Sequence, residues 1–203
     1  KTGRPVLLLH GGGDCRVSWS YVAPILAENG YCVYVPELRG HGKTDKPLDP
    51  KGYYVIEDYM EDIVALLDAL GLEKADLVGH SVGSLTSQLV AATYPDRVRS
   101  ITLYASGTKV ETFKEFNVTE NDVFDDAFFQ EWTYCQIDDE PFRTAAYEYV
   151  RQLPMNSWRQ MFNGLKFFDS RDRLPKITCP VQIIWGTEDN FFNETEQEEL
   201  QEG

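Results

Sequence analysis

Ala75-Asp76-Leu77-Val78-Gly79-His80-Ser81-Val82-Gly83 is the stretch whose reading decides the fold. Ala75 to Val78 is a short apolar run of the kind that forms a buried strand, and Val82 to Tyr94 keeps helical spacing until Pro95 closes it. Between the two lies the pattern G-x-S-x-G, with Ser81 at its centre. A strand that turns at once into a helix leaves no room for a Cβ at the two glycine positions. The same turn lifts the serine hydroxyl above the sheet, where the helix N-terminus favours developing negative charge. The pattern has weight only between a strand and a helix, and that context is present. Ser81 is therefore the candidate nucleophile.

Outward from this turn the two periods alternate. Pro5 to His10 reads as a buried strand ending in Gly11-Gly12-Gly13, and Ser18 to Asn29 as a helix presenting Trp19, Val22, Ile25 and Leu26 and stopped by Gly30. Tyr31 to Val35 is a second strand, Val55 to Leu70 a helix ending at Gly71, and Val98 to Tyr104 a further strand. This order predicts an α/β chain with a doubly wound, mostly parallel sheet. From Ser106 to about Arg173 the alternation stops. Three helical patterns replace it, at Asp125 to Tyr134, Pro141 to Leu153 and Ser157 to Phe168, rich in Phe128, Phe129, Trp132, Tyr134, Phe142, Trp158 and Phe162. They read as an inserted helical lid that packs on the sheet and lines an apolar pocket. The sheet resumes with Val181 to Trp185, and Glu194 to Glu202 begins an acidic helix. The expected division is 1–105 for the first part of the core, 106–173 for the lid and 174–203 for the second part of the core.

Charge and composition narrow the partners. With 33 acidic and 19 basic residues the net charge is −14, which repels nucleic acid and anionic lipid. The longest apolar runs fall far short of the ~20 residues that span a bilayer, so no membrane partner is expected. Cys15, Cys32, Cys135 and Cys179 are scattered without a CxxC pair or a nearby His, which argues against zinc and for reduced thiols in a cytoplasmic protein. No cofactor is called for, and the chain is expected as a monomer or homodimer.

Two further segments complete a constellation around Ser81. The Gly11-Gly12-Gly13 turn offers bare backbone N–H groups to an oxyanion, and one of them should pair with the N–H of Val82. Gly12 is favoured, with Gly13 as the alternative. Asp189 follows the strand Val181 to Trp185, at the carboxyl end of the sheet where catalytic groups collect, and is the candidate acid, with Glu188 as fallback. His10, His41 and His80 all sit beside backbone turns and are poor candidates for a base; His10 reads as a structural hydrogen-bonding residue.

Taken together, His10-Gly11-Gly12-Gly13, Arg39-Gly40-His41-Gly42, Gly79-His80-Ser81-Val82-Gly83, Tyr94-Pro95-Asp96-Arg97-Val98 and Trp185-Gly186-Thr187-Glu188-Asp189 resemble the α/β-hydrolase superfamily. Within it the chain resembles the small bacterial esterase, enol-lactonase and non-haem haloperoxidase-like branch. The resemblance implies an α/β-hydrolase fold, a Ser-His-Asp triad without metal or haem, and a small-molecule ester or lactone as substrate. It also implies that Pro5 to His10 is the third strand of the fold and that the catalytic His lies beyond Gly203, so that residues 1–203 alone are expected to be nearly inactive. Asp-nucleophile chemistry, as in epoxide hydrolases and dehalogenases, is disfavoured by Ser81. Carbon–carbon bond hydrolysis and perhydrolysis share the constellation and stay open. A non-catalytic small-molecule-binding or signalling protein on the same scaffold is the competing expectation.

Overall fold

The structure, a computed structural model, describes residues 2–110, 117–133 and 138–203. The chain runs β1 (Arg4–Leu9), a 3-10 turn (Arg16–Trp19), α1 (Val22–Glu28), β2 (Tyr31–Tyr34), α2 (Ile56–Ala69), β3 (Ala75–His80), α3 (Val82–Thr93) and β4 (Val98–Tyr104). Then follow α4 (Asp126–Trp132), α5 (Glu140–Val150), α6 (Met155–Leu165), β5 (Val181–Ile184) and α7 (Glu194–Glu202). The five strands form one parallel sheet in the order β2-β1-β3-β4-β5.

Alternate residues of the strands feed two faces. On β1, Leu7 and Leu9 join the main core with Tyr59, Ile63 and Leu67 of α2 and Leu85 and Leu89 of α3. Val6 and Leu8 point the other way, onto Trp19, Ala23 and Leu26. Eleven of the twelve residues of α3 are buried, so the helix that follows the Ser81 turn is the centre of the molecule rather than a surface element. Gly30 and Gly71 end α1 and α2 at φ 87° and 65° with open space around them, which is the left-handed stop expected of both.

The first helix departs from expectation. The stretch read as one helix from Ser18 to Asn29 is a 3-10 turn followed by the separate α1. Pro24 explains the break: a continuous helix would set its ring against the carbonyl of Ser20, whereas at the third position of α1 its missing N–H has no intrahelical partner to lose. The packing face shifts as well, with Val22 and Ile25 exposed and Ala23 and Leu26 turned inward.

The three helices between β4 and β5 share the main core. Trp158, Met161 and Phe162 of α6 are fully buried in it. Gln160 ties α6 to the loop before α2, its side-chain NH₂ donating to Pro47 O and Tyr54 Oη at 3.0 Å each. Tyr134 and Cys135, named in the sequence reading, lie outside the described residues.

Candidate active site

Strand order places the site. The chain leaves β1 toward β2 on one side and returns to β3 on the other, so the loops after β1 and β3 diverge at the carboxyl ends of neighbouring strands, where ligands bind in open α/β sheets. Leu9 pairs with Gly79, which sets the Gly11-Gly12-Gly13 turn beside Ser81.

Ser81 occupies φ 49° and ψ −117°, a conformation strained for a residue with a Cβ, as N-cap of α3. Its N–H donates to Tyr104 O of β4 at 2.9 Å, and its carbonyl accepts from Ser84 N at 2.7 Å and Leu85 N at 3.0 Å. The flanking glycines are sterically required: a Cβ on Gly79 would stand 2.2 Å from Gly83 O, and one on Gly83 would stand 2.3 Å from Leu9 O. Both neighbours are backbone, so neither can swing aside.

The glycine turn is fixed from three directions. Gly13 N–H donates to His41 Nε2 at 3.0 Å, and Gly13 O accepts from Trp132 Nε1 of α4, also at 3.0 Å. The Gly13 Cα lies so close to Trp158 that an added Cβ would be 2.2 Å from its ring. Because His41 takes the Gly13 N–H, that alternative donor is engaged, and of the two N–H groups weighed from sequence Gly12 is left. A Cβ on Gly12 would be 2.9 Å from Val82 Cγ2, so Gly12 packs against the Val82 side chain.

His10 and His41 make the same kind of bridge. His10 donates from Nδ1 to Gly11 O at 2.7 Å and accepts Leu38 N–H on Nε2 at 3.0 Å. His41 donates from Nδ1 to Arg39 O at 2.9 Å while accepting Gly13 N–H. Burial drives both imidazoles down from their ordinary value, His41 to about 3, so both stay neutral. His10 is thus structural, as expected.

A cavity of about 920 Å³ opens over Ser81 and Val82, lined also by Gly12, Asp189 and the aromatic rings Phe128, Trp132, Phe142 and Phe162. Asp189 Oδ1 accepts the N–H groups of Phe191 at 2.8 Å and Phe192 at 3.1 Å, which anchors the carboxylate at the end of β5. Asp189 lines the cavity, and the fallback Glu188 is exposed and does not. The structure therefore brings Ser81, Val82, Gly12 and Asp189 to one cavity.

Sequence reasoning missed Asp14, His80 and Phe191 as cavity residues. Asp14 Oδ1 accepts Cys15 N–H at 2.7 Å and the Ser18 hydroxyl at 2.5 Å, and its Oδ2 stands 3.8 Å from His80 Nδ1. Burial works against ionisation of Asp14, yet the His80 contact and the Ser18 hydroxyl hold it down to about 2. Its place directly after three glycines was the available signal. Among the described residues no group of three or more His, Cys, Asp or Glu is arranged to hold a metal ion, and no helix is long and apolar enough to cross a membrane.

A parallel sheet with a strained serine between a strand and a buried helix, glycines at both flanks and an acid after a later strand, defines a class: α/β folds built around a tight strand-to-helix serine turn. The chain belongs to the α/β hydrolase fold family, whose sequence pattern matches residues 4–140. It is 39% identical over 100 residues to "Epoxide hydrolase 3" of Siraitia grosvenorii (49% of this chain, 31% of that protein). To human "Epoxide hydrolase 4" it is 27% identical over 226 aligned positions, covering 94% of this chain and 60% of that protein. The matches thus span about a third to three fifths of these relatives' length. In structure it is similar to the enol-lactonase from Burkholderia xenovorans LB400, with a TM-score of 0.83 at 19% identity, covering 100% of this chain and 80% of the other. That likeness is one of fold.

Proposed function

We propose that this chain carries the reactive core of a serine hydrolase that cleaves small carboxylic esters or lactones through an acyl-enzyme. Ser81 attacks the carbonyl carbon, the N–H groups of Gly12 and Val82 receive the oxyanion, and the leaving alcohol departs to give an acyl ester on Ser81 that water cleaves. Asp189 orients the imidazole that takes the Ser81 proton and returns it to the leaving group. That imidazole is neither His10 nor His41, because both ring nitrogens of each are engaged. We assign it to a histidine outside residues 1–203 rather than to His80, whose Nδ1 is turned to Asp14. The observation that carries the proposal is the backbone of Ser81, held at φ 49° at the head of α3 and facing the cavity.

The names of the sequence relatives favour a second reading, the opening of an epoxide. Chemistry opposes it. A carboxylate nucleophile gives an ester whose carbonyl water can attack, whereas Ser81 would give an ether with no such carbonyl. The test is turnover of p-nitrophenyl butyrate and of styrene oxide by the full-length protein, with a fluorophosphonate label located by mass. Ester turnover and a label on Ser81, both lost in Ser81→Ala, are expected. Diol formation from the epoxide that survives Ser81→Ala would replace this reading, and ligand binding without turnover would leave a binding protein.

A further inference from the structure

Three carboxylates line the cavity, from Asp14, Glu131 and Asp189, and among the described lining residues there is no Lys or Arg. One imidazole, His80, also lines it and stands 3.8 Å from Asp14. Much of the remaining wall is aromatic, and ring faces attract cations and repel anions. His80 bridges Asp14 to the Ser81 turn: the point a Gly11 Cβ would occupy is 2.9 Å from His80 Nδ1 and 3.3 Å from Ser81 Cβ, and Asp14 Oδ2 is 3.8 Å from that same His80 nitrogen. Asp14 is pinned there by Cys15 N–H and the Ser18 hydroxyl, so it cannot swing out of an incoming anion's path.

Resting on the ester-hydrolase reading, we propose that this cavity turns away carboxylate-bearing substrates and takes uncharged or cationic ones, with Asp14 as the side chain that sets the preference. The Cys15 N–H and the Ser18 hydroxyl both donate to Asp14, contacts that favour its charged form. The net charge of −14 adds a field of the same sign outside the mouth. Glu131, exposed on α4, extends the negative wall to the rim, while Asp189 holds its place through Phe191 and Phe192 N–H. A single charge at roughly 10 Å and an effective dielectric of about 20 is worth about tenfold in affinity.

The experiment compares two esters of the same shape, p-nitrophenyl glutaramate and p-nitrophenyl hemiglutarate, which differ by one negative charge. In the full-length protein kcat/KM is expected to favour the amide by about tenfold or more, and Asp14→Asn to shrink that ratio by about tenfold. A ratio below about threefold, or one that Asp14→Asn leaves unchanged, overturns the proposal while leaving ester hydrolysis standing. Should Asp14→Asn fail to fold, Glu131→Gln must shrink the ratio in the same direction, and an unchanged ratio there has the same consequence. If neither ester turns over, the hydrolase reading fails, and calorimetry of 4-phenylbutanamide against 4-phenylbutyrate decides this one. Tighter binding of the amide by about tenfold supports it; equal binding, or none by either, overturns it.

Discussion

Replacing Ser81 by glycine removes the hydroxyl proposed as nucleophile together with the Cβ that the turn strains, whereas replacing it by alanine removes that hydroxyl and keeps the Cβ. The contrast between the two variants therefore reads the backbone alone. At φ 49° and ψ −117° the strain amounts to ~1–3 kcal/mol. Glycine gives back ~0.4–1 kcal/mol through its freer unfolded chain. The net expectation is that Ser81→Gly is more stable than Ser81→Ala by ~1–2 kcal/mol, or ~2–8 °C in Tm for a chain of this length. Urea unfolding at equilibrium, followed by far-UV circular dichroism, measures the difference, and calorimetry checks the Tm. Equal stability, or an alanine variant more stable than the glycine one, refutes the claim that the site stores strain in this turn.

Gly83→Ala and Gly12→Ala should part company. The first drives a Cβ to 2.3 Å from the Leu9 carbonyl oxygen and should cost ~3 kcal/mol in urea unfolding. The second meets Met161 Sδ at 2.7 Å and Val82 Cγ2 at 2.9 Å, side chains that can yield, so it should stay folded while ester turnover falls by ~10²-fold. Stability should fall with pH through the histidines. His10 and His41 are depressed in the folded chain, so below the unfolded value near 6.5 the unfolded chain binds the extra protons and folding weakens until the folded value, about 3 for His41, is reached. Each contributes a slope of up to ~1.4 kcal/mol per pH unit, and His41→Asn should remove one such slope from urea midpoints taken between pH 6.5 and 4. Trp132→Phe keeps an aromatic side chain but deletes the donor to Gly13 O, and should lower kcat/KM for p-nitrophenyl butyrate by ~5-fold, the worth of one hydrogen bond of ~1 kcal/mol.

What could be read from the sequence was what short-range physics determines. The Ala75 to Tyr94 stretch announces its turn because strand period, helix period and glycine sterics all act within twenty residues, and β4 was legible from its β-branched residues alone. The first helix was misread because its apolar spacing was counted without asking where the ring of Pro24 would fall. Asp14 and His41 were opaque for another reason. Asp14 becomes a cavity residue only when the β1–β3 register sets Leu9 against Gly79 and brings His80 within 3.8 Å of its carboxylate. His41 acquires its role from a hydrogen bond to Gly13, 28 residues earlier, which no local pattern encodes.

That long-range bond changes how the site divides between sheet and helices. A turn of three glycines has little stiffness of its own, and an N–H group can stabilise an oxyanion only if it is already aimed when charge develops. The loop between β2 and α2 supplies one constraint, through His41 on Gly13 N–H. The other two come from the segment after β4: Trp132 of α4 on Gly13 O, and Trp158 of α6 against Gly13 Cα. The helices over the cavity thus do more than enclose substrate. They hold the glycine turn in place, so under the proposed mechanism a change in α4 or α6 that leaves the sheet and Ser81 intact still reaches the chemistry through Gly13.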